Sequence, residues 1–431
     1  MNTQTSSAFE VGGRKAAYVL VVCSLLRAVS YADWQVMSVV LQPMKVDLQL
    51  SDAQIGIANS AFFMGVILFT LPVAHWVDVW SRKMMIGLMA IAWSVFTLGT
   101  GFAAGFASLV LTRLGVGVGE AGFGPGGTAL VSASYPESKR GQKLGIFNVF
   151  ITIGVIVGVI AGGYLSANFG GWRTPFYVFG IPGIVLGVLA FFMQDYSLKK
   201  TDGTDIGHEP FLSNLKQLLR IRTLRWLFVG LGMYAVLQIS VGTWFPSLLM
   251  RAYNIKEDKA GLVMGVVTII GLCGPILGGV LADRWQRRHP GGRMRLAAVS
   301  IAIASAFVFL VLLAALDVNN RALMIFCAAM MPLHSIFVGM ALPAVAATSQ
   351  DVVAPRLRGL SWGAATVALF LLGGAWGPLL VGSVSDHYDG GYRGLALGLA
   401  ITGLFGLIAS WLWWIAARHV EADTARARET V

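Results

Sequence analysis

The stretch Arg113–Gly127, "RLGVGVGEAGFGPGG", holds seven glycines, one arginine and one glutamate. Within it Gly117–Gly122 spells G-x-G-x-x-G, the letters of a dinucleotide-binding turn, which requires a strand before it and a helix after it. No strand–turn–helix unit surrounds these letters. They fall inside the apolar run 106–134, and a bilayer is crossed by about 20 mostly apolar residues. The whole chain has the same character. Hydrophobic residues reach 56% and charged residues 12%, about half the roughly 25% charged content of a soluble domain, and mean hydropathy is +0.72. The stretch therefore reads as the middle of a membrane helix that carries two charges into hydrocarbon.

Twelve segments have the length and composition of membrane spans: 16–42, 54–77, 84–103, 106–134, 143–166, 174–194, 224–250, 260–282, 296–315, 322–349, 360–385 and 393–417. They predict an all-α membrane protein of twelve transmembrane helices in two six-helix halves. Residues 1–194 form the first half, 195–223 a cytoplasmic linker, 224–417 the second half and 418–431 a cytoplasmic tail. Of the 32 Lys and Arg residues, 23 fall on the side that carries both termini and seven on the other. Lys and Arg concentrate in cytoplasmic loops, so both termini are expected in the cytoplasm of a multi-pass cell membrane protein. The formal charge of +11 follows from topology, and no nucleic-acid partner is expected. Arg14 and Lys15 precede an apolar run too long for a signal-peptide core, so the first span is expected to stay.

In the linker, "EPFLSNLKQLLRIRTLRW" (Glu209–Trp226) alternates apolar and basic residues near helical spacing and predicts an interfacial amphipathic helix. Trp411, Trp413 and Trp414 before Arg418 predict an aromatic belt. Cys23, Cys273 and Cys327 lie far apart in apolar runs without C-x-x-C spacing, and read as small buried hydrophobes. No metal or cofactor is expected.

The chain also repeats itself. A shift of 205 residues places Gly56 on Gly261, Asp78 on Asp283, Arg82 on Arg287 and Lys83 on Arg288. Shifts of 218 and 220 pair Arg140-Gly141 with Arg358-Gly359 and "FGGWR" (Phe169–Arg173) with "DGGYR" (Asp389–Arg393). Parallel repeats of six spans belong to two-half secondary transporters that bind substrate near the midplane.

At this point the residues resemble a known family. "GGVLADRWQRR" (Gly278–Arg288) is similar to the loop 2–3 motif of the major facilitator superfamily, G-x-L-A-D-R-x-G-R-R. The first copy, "AHWVDVWSRK", keeps Asp78, Arg82 and Lys83 but has Ala74 and Val79 where glycine and arginine are usual. "RLGVGVGEAG" resembles the span-4 motif R-x-x-x-G-x-x-E, and "GGWRTPFYVFGIPG" the junction of spans 5 and 6. Within the superfamily the pattern resembles the anion:cation symporters and the spinster-like proteins. Those groups have an Asp-Arg pair in span 1, whereas "YADWQ" has Asp33 followed by Trp34. The resemblance implies a transporter and no enzyme, with Asp78, Arg82, Asp283, Arg284 and Arg287 as gating residues.

An ionisable group in hydrocarbon is costly and functional by default. Of 21 acidic residues only Asp33 and Glu120 sit well inside spans, and Arg27 and Arg113 are the cations there. Asp33 and Glu120 are the expected proton carriers. On a continuous helix Arg113, Gly117, Glu120 and Gly124 share one face, while Gly115, Gly119, Gly122 and Gly126 form a packing seam opposite. Arg113 and Glu120 are then about 10 Å apart along the axis, so each needs a partner elsewhere. Arg27 lies seven residues before Trp34, on the same face, and is expected either to replace the missing span-1 arginine or to reach for the cytoplasmic interface. Tyr31, Trp34, Trp244 with its neighbour Phe245, and His334 complete the candidate substrate-binding set. The expected function is proton-coupled uptake of a small organic anion, a carboxylate or sulfonate, by a monomer in the lipid bilayer. The alternatives are spinster-like transport of lysolipids or other amphiphiles, or a non-transporting membrane sensor or enzyme.

Overall fold

A computed structural model describes residues 11–79, 81–195, 211–316, 321–388 and 390–429. All regular structure among them is helical. Among the described residues eleven helical segments are long and apolar enough to cross a membrane, and the other expected span is a shorter apolar helix, Thr174–Ala190, of 17 residues. The chain divides into two compact units. Unit 1 comprises Met1–Leu48 and Ala61–Thr204, and unit 2 comprises Gln49–Ser60 and Asp205–Val431.

Unit 1 is built from α1 (Gly13–Asp47), α2 (Asp52–Val79) from Ala61 onward, α3 (Arg82–Gly101), α4 (Phe106–Glu120), α5 (Phe123–Ala133), α6 (Glu137–Asn168) and α7 (Thr174–Ala190). Its core lies where α1 meets α6 and α7, and where α3 meets α7 and α4. Three glycines on α6 bring α1 close. A Cβ at Gly154, Gly158 or Gly162 would lie 2.3 Å from the Ala28 carbonyl oxygen, 2.6 Å from that of Ala32 and 2.4 Å from Val36 Cγ2. This G-x-x-x-G-x-x-x-G seam holds two backbones in contact. On the same helix Val149, Ile153 and Val157 are exposed, as are Ile181, Val185 and Val188 on α7, an outward apolar stripe that suits lipid.

Unit 2 holds the first turns of α2, then α8 (Phe211–Arg220), α9 (Arg222–Tyr253), α10 (Glu257–Gly271), α11 (Cys273–Arg288), α12 (Gly292–Leu316), α13 (Arg321–Asp351), α14 (Arg358–Leu369), α15 (Gly377–His387), α16 (Tyr392–Ala417) and α17 (Val420–Glu429). The amphipathic helix expected in the linker is α8, and residues 196–210 before it lie outside the described residues. Helix α16 packs on α12 and α9, and α13 on α12 and α11. Two smaller expectations need adjusting. Cys23 is buried but Cys273 is exposed at the start of α11, and the side chain of Cys327 lies outside the described residues. Trp411 and Trp414 face outward, whereas Trp413 is buried and leaves the belt to its two neighbours.

Three spans expected to be single helices are broken. Span 106–134 divides at Ala121–Gly122 into α4 and α5, and span 260–282 at Leu272 into α10 and α11. Span 360–385 runs from α14 through a π-helical turn, Phe370–Gly374, before α15. Each break lies just upstream of a Gly-Pro pair: Gly124-Pro125, Gly274-Pro275 and Gly377-Pro378. Proline has no N–H for the carbonyl four residues back, and its ring crowds that carbonyl. The prolines inside unbroken helices (Pro43, Pro72, Pro182, Pro246, Pro332 and Pro343) all follow a residue other than glycine.

Candidate functional site

The break in span 4 makes Glu120 the last helical residue of α4. Arg113 lies two turns earlier and is completely buried. Its partner stands on another helix: Arg113 Nη1 is 3.8 Å from Asp33 Oδ1, and Asp33 on α1 is 1% exposed. That separation is an ion pair and too long for a hydrogen bond. Asp33 Oδ2 instead accepts from the Thr97 hydroxyl of α3. The Arg113 guanidinium stacks over Phe62, 5.6 Å from the ring centre, yet its Nε and both Nη atoms have no hydrogen-bond partner. A buried unmade hydrogen bond costs about 1–3 kcal/mol. The resting arrangement thus balances charge while leaving the fork of donors unfilled.

Glu120 lies within electrostatic reach of Asp33, Arg113 and Arg27, and Ser30 of α1 hydrogen-bonds to it. Its Oε1 has no partner. Arg27 is half-buried inside unit 1. Its guanidinium stands 5.3 Å from the Tyr31 ring and 5.1 Å from the Phe147 ring of α6. A Cβ on Gly124 of α5 would come within 3.0 Å of Arg27 Nη1. Its side chain is thus enclosed by α1, α5 and α6. Trp34 meets Tyr31 and Phe63 edge-on. Asp33, Glu120, Arg113, Arg27, Tyr31 and Trp34 are therefore gathered in one unit, from spans 1 and 4 as the sequence predicts. Ser30, Phe62, Thr97 and Phe147 join them unpredicted, because small hydroxyls and rings in apolar helices carry no distinguishing pattern.

The division of span 4 into a packing face and a presenting face needs correction. Gly115 and Gly119 do press on Phe96 and Trp93 of α3, but Gly117 also packs. A Cβ there would lie 2.0 Å from the Phe62 carbonyl oxygen of α2. Both sides of α4 are contact seams, and Arg113 and Glu120 are wedged beside them.

The other two substrate-binding candidates lie in unit 2. Trp244 is 1% exposed and donates its indole N–H to the Pro378 carbonyl at 2.9 Å, a packing position in the core. His334 is buried, with Nδ1 2.9 Å from the Ala304 carbonyl oxygen.

The gating candidates divide. The side chain of Asp78 lies outside the described residues. Arg82 is buried at the start of α3, where Ser81 caps the helix by accepting from Met84 N–H at 3.3 Å and donates to Asp195 at 2.5 Å. Asp283 pairs with Arg293, 2.7 Å away, and Arg293 also binds Asp351. Arg284 and Arg287 are exposed and have no carboxylate partner among the described residues. The cation that holds Asp283 thus comes from α12, ten residues along, and not from the motif itself.

A second buried charge network went unpredicted. Asp52, fully buried at the first turn of α2, takes both ends of the Arg251 fork at 2.6 and 2.7 Å. It also accepts from Ser385 at 2.6 Å. Asp386 caps the same turn by accepting from the N–H groups of Asp52 and Ala53. In the sequence these residues look like solvated span ends, and only their burial distinguishes them.

A probable galactarate/D-glucarate transporter of Bacillus subtilis is 29% identical over 62% of this chain and 64% of its own length. An MFS-type efflux pump of Mycolicibacterium smegmatis is 27% identical over 97% of this chain and 96% of its own, and spinster homolog 1 of Xenopus tropicalis is 24% identical over 96% and 83%. The solved structure of a bacterial homolog to the human lysosomal transporter spinster shares the fold, with a TM-score of 0.84 over 96% of this chain and 99% of that one at 23% identity. The profile of the Major Facilitator Superfamily matches residues 23–378. Helices of membrane length, the internal repeat and these matches together make the chain a member of the Major Facilitator Superfamily, a multi-pass cell membrane transporter and not an enzyme.

Proposed function

We propose that the chain is a proton-coupled carrier that takes up a small organic anion, a carboxylate or sulfonate, by alternating access. One observation carries the reading: the Arg113 guanidinium is wholly buried, 3.8 Å from Asp33, with none of its nitrogens hydrogen-bonded. A carboxylate or sulfonate presents two oxygens that match such a fork. Binding there fills donors that are costly to leave unmade. An anion on Arg113 also leaves Asp33 and Glu120 short of counter-charge, in a medium that penalises net charge. A proton restores the balance, which supports coupling. Arg27, braced by Tyr31 and Phe147, offers the second cation, and Trp34, edge-on to Tyr31, an aromatic wall. The likeness to a sugar-acid transporter supports the anion.

A second reading, transport of a lysolipid or other amphiphile, is favoured by the match to a spinster homolog along nearly the whole chain. Proteoliposomes holding the purified chain separate the two. Under an imposed inward proton gradient, the wild type should accumulate at least one labelled sugar acid, carboxylate or sulfonate, and Glu120→Gln should lose accumulation while retaining substrate exchange. Uptake indifferent to both pH gradient and membrane potential would sink the coupling. Flux of lysolipids alone would replace the anion reading with the second one.

A further inference from the structure

The geometry points to an anionic phospholipid site in unit 2, on the side of the membrane that holds the start of α9 and the end of α16. A cleft of about 390 Å³ is lined there by Arg222, Arg225, Trp226, Val229 and His419. The first four lie at positions i, i+3, i+4 and i+7, so they share one face of α9. The opposite face, with Leu224, Leu227, Phe228 and Leu231, is buried in the unit. Each kind of lining residue matches one part of a phospholipid. Two guanidinium groups and an imidazole meet the phosphate, the Trp226 ring suits the headgroup boundary, and exposed Val229 one turn deeper meets an acyl chain.

The charge at this cleft is uncompensated. No carboxylate lines it, and neither Arg222 nor Arg225 forms an ion pair among the described residues. Asp423 of α17, buried against the first turn of α9, is committed elsewhere. It accepts from the Thr223 N–H and hydroxyl at 2.9 and 2.8 Å and faces Arg426 at 3.5 Å. That contact pins α17 to the first turn of α9 and so holds His419, at the α16–α17 junction, as one wall. Exposed Trp411 and Trp414 on α16, which packs against α9, place this end of the unit at the membrane boundary. Isolated arginines on a solvated surface would serve charge balance alone. A cleft that combines unpaired arginines, a tryptophan and a lipid-facing valine selects an anion with a hydrocarbon tail.

Native mass spectrometry of the purified full-length chain in neutral detergent tests this with dioleoyl phosphatidylglycerol and dioleoyl phosphatidylcholine. The wild type should bind phosphatidylglycerol preferentially. R222Q/R225Q should lose roughly 30-fold in apparent affinity, given the usual contribution of each basic residue beside an anionic surface, and R222K/R225K should keep most of it. Equal binding of the two lipids by the wild type, or undiminished phosphatidylglycerol binding by R222Q/R225Q, would overturn the proposal. Inorganic phosphate raising the melting midpoint as far as phosphatidylglycerol would also overturn it, by making the ligand a free ion. If the double glutamine variant does not fold, R225Q alone carries the same comparison, and the lipid preference of the wild type stands as an independent arm.

Discussion

Arg113 sits at 0% exposure beside a carboxylate that it does not hydrogen-bond, and the identity of the cation should matter as much as its charge. Arg113→Lys keeps the charge but replaces a planar fork with a point donor. Transport in proteoliposomes should fall at least about tenfold, roughly the loss of one charge-assisted hydrogen bond, with the protein still folding. Arg113→Gln should do worse, because it strands Asp33 as a buried charge at a cost of about 3–5 kcal/mol, visible as a lower melting midpoint. Arg27→Gln should lower uptake at constant protein level, since the residue is braced inside unit 1 by Tyr31 and Phe147. The four ionisable residues of the cluster were all legible in the sequence, because a charge in the middle of an apolar span is too costly to sit there without a role. Thr97, Ser30 and Phe62 were not, since nothing local marks which hydroxyl or ring will face them. Trp244 and His334 are candidates by residue type and place in a span, and both are packed and hydrogen-bonded in unit 2.

The helices themselves carry two design features. Gly-Pro pairs break spans 4, 8 and 11, and Pro125 in particular leaves Glu120 at a helix end. Pro125→Ala restores an N–H to the ladder and removes the reason for the break. Expected is reduced transport with folding preserved, read from uptake and melting midpoint together. The glycine seam of α6 sets the depth and rotation of α1, and with it the direction of Asp33 and Arg27. Gly158→Leu drives a side chain into the Ala32 backbone, and overpacking of this kind costs about 1–3 kcal/mol. A lower melting midpoint and weaker transport should appear together. At the start of α2, Asp52→Asn leaves the Arg251 fork buried without the carboxylate charge that balances it. The midpoint should fall, and Arg251→Met in the same chain should recover part of the loss, because removing both partners of a buried pair is often cheaper than removing one. The Gly-Pro pairs and the α6 glycines were visible as letters. Reading them as breaks and a seam requires knowing which helix lies opposite.

For the whole molecule, the placement of Lys and Arg predicts orientation. In a chain without native cysteines, Lys143→Cys and Arg287→Cys should react with impermeant maleimide only from the cytoplasmic side, and Lys256→Cys only from the outside. Reaction of all three from one side would overturn the topology. The repeat also survives in the backbone. Gly170 and Gly171 in the first copy of the G-G-aromatic-Arg turn, and Gly390 in the second, adopt positive φ, and in both copies the arginine stacks on the adjacent ring, Arg173 on Trp172 and Arg393 on Tyr392. Asp47 then holds Arg173, while in the second copy the Gly390 carbonyl accepts from Arg251. A duplicated motif has kept its turn and changed its ties.

Membrane character, the apolar spans and the short set of charges inside them follow from the order of residues alone. Hydropathy and charge act segment by segment, and the penalty for a stray charge in lipid is large enough to leave a local trace. Pairing is another matter. That Asp33 answers Arg113, that Arg293 rather than Arg284 or Arg287 holds Asp283, and that Asp52 is buried against Arg251 depend on the rotation and depth of helices far apart in the chain. Those are set by close-packed glycines and broken turns acting together, a property of contacts that no single segment contains.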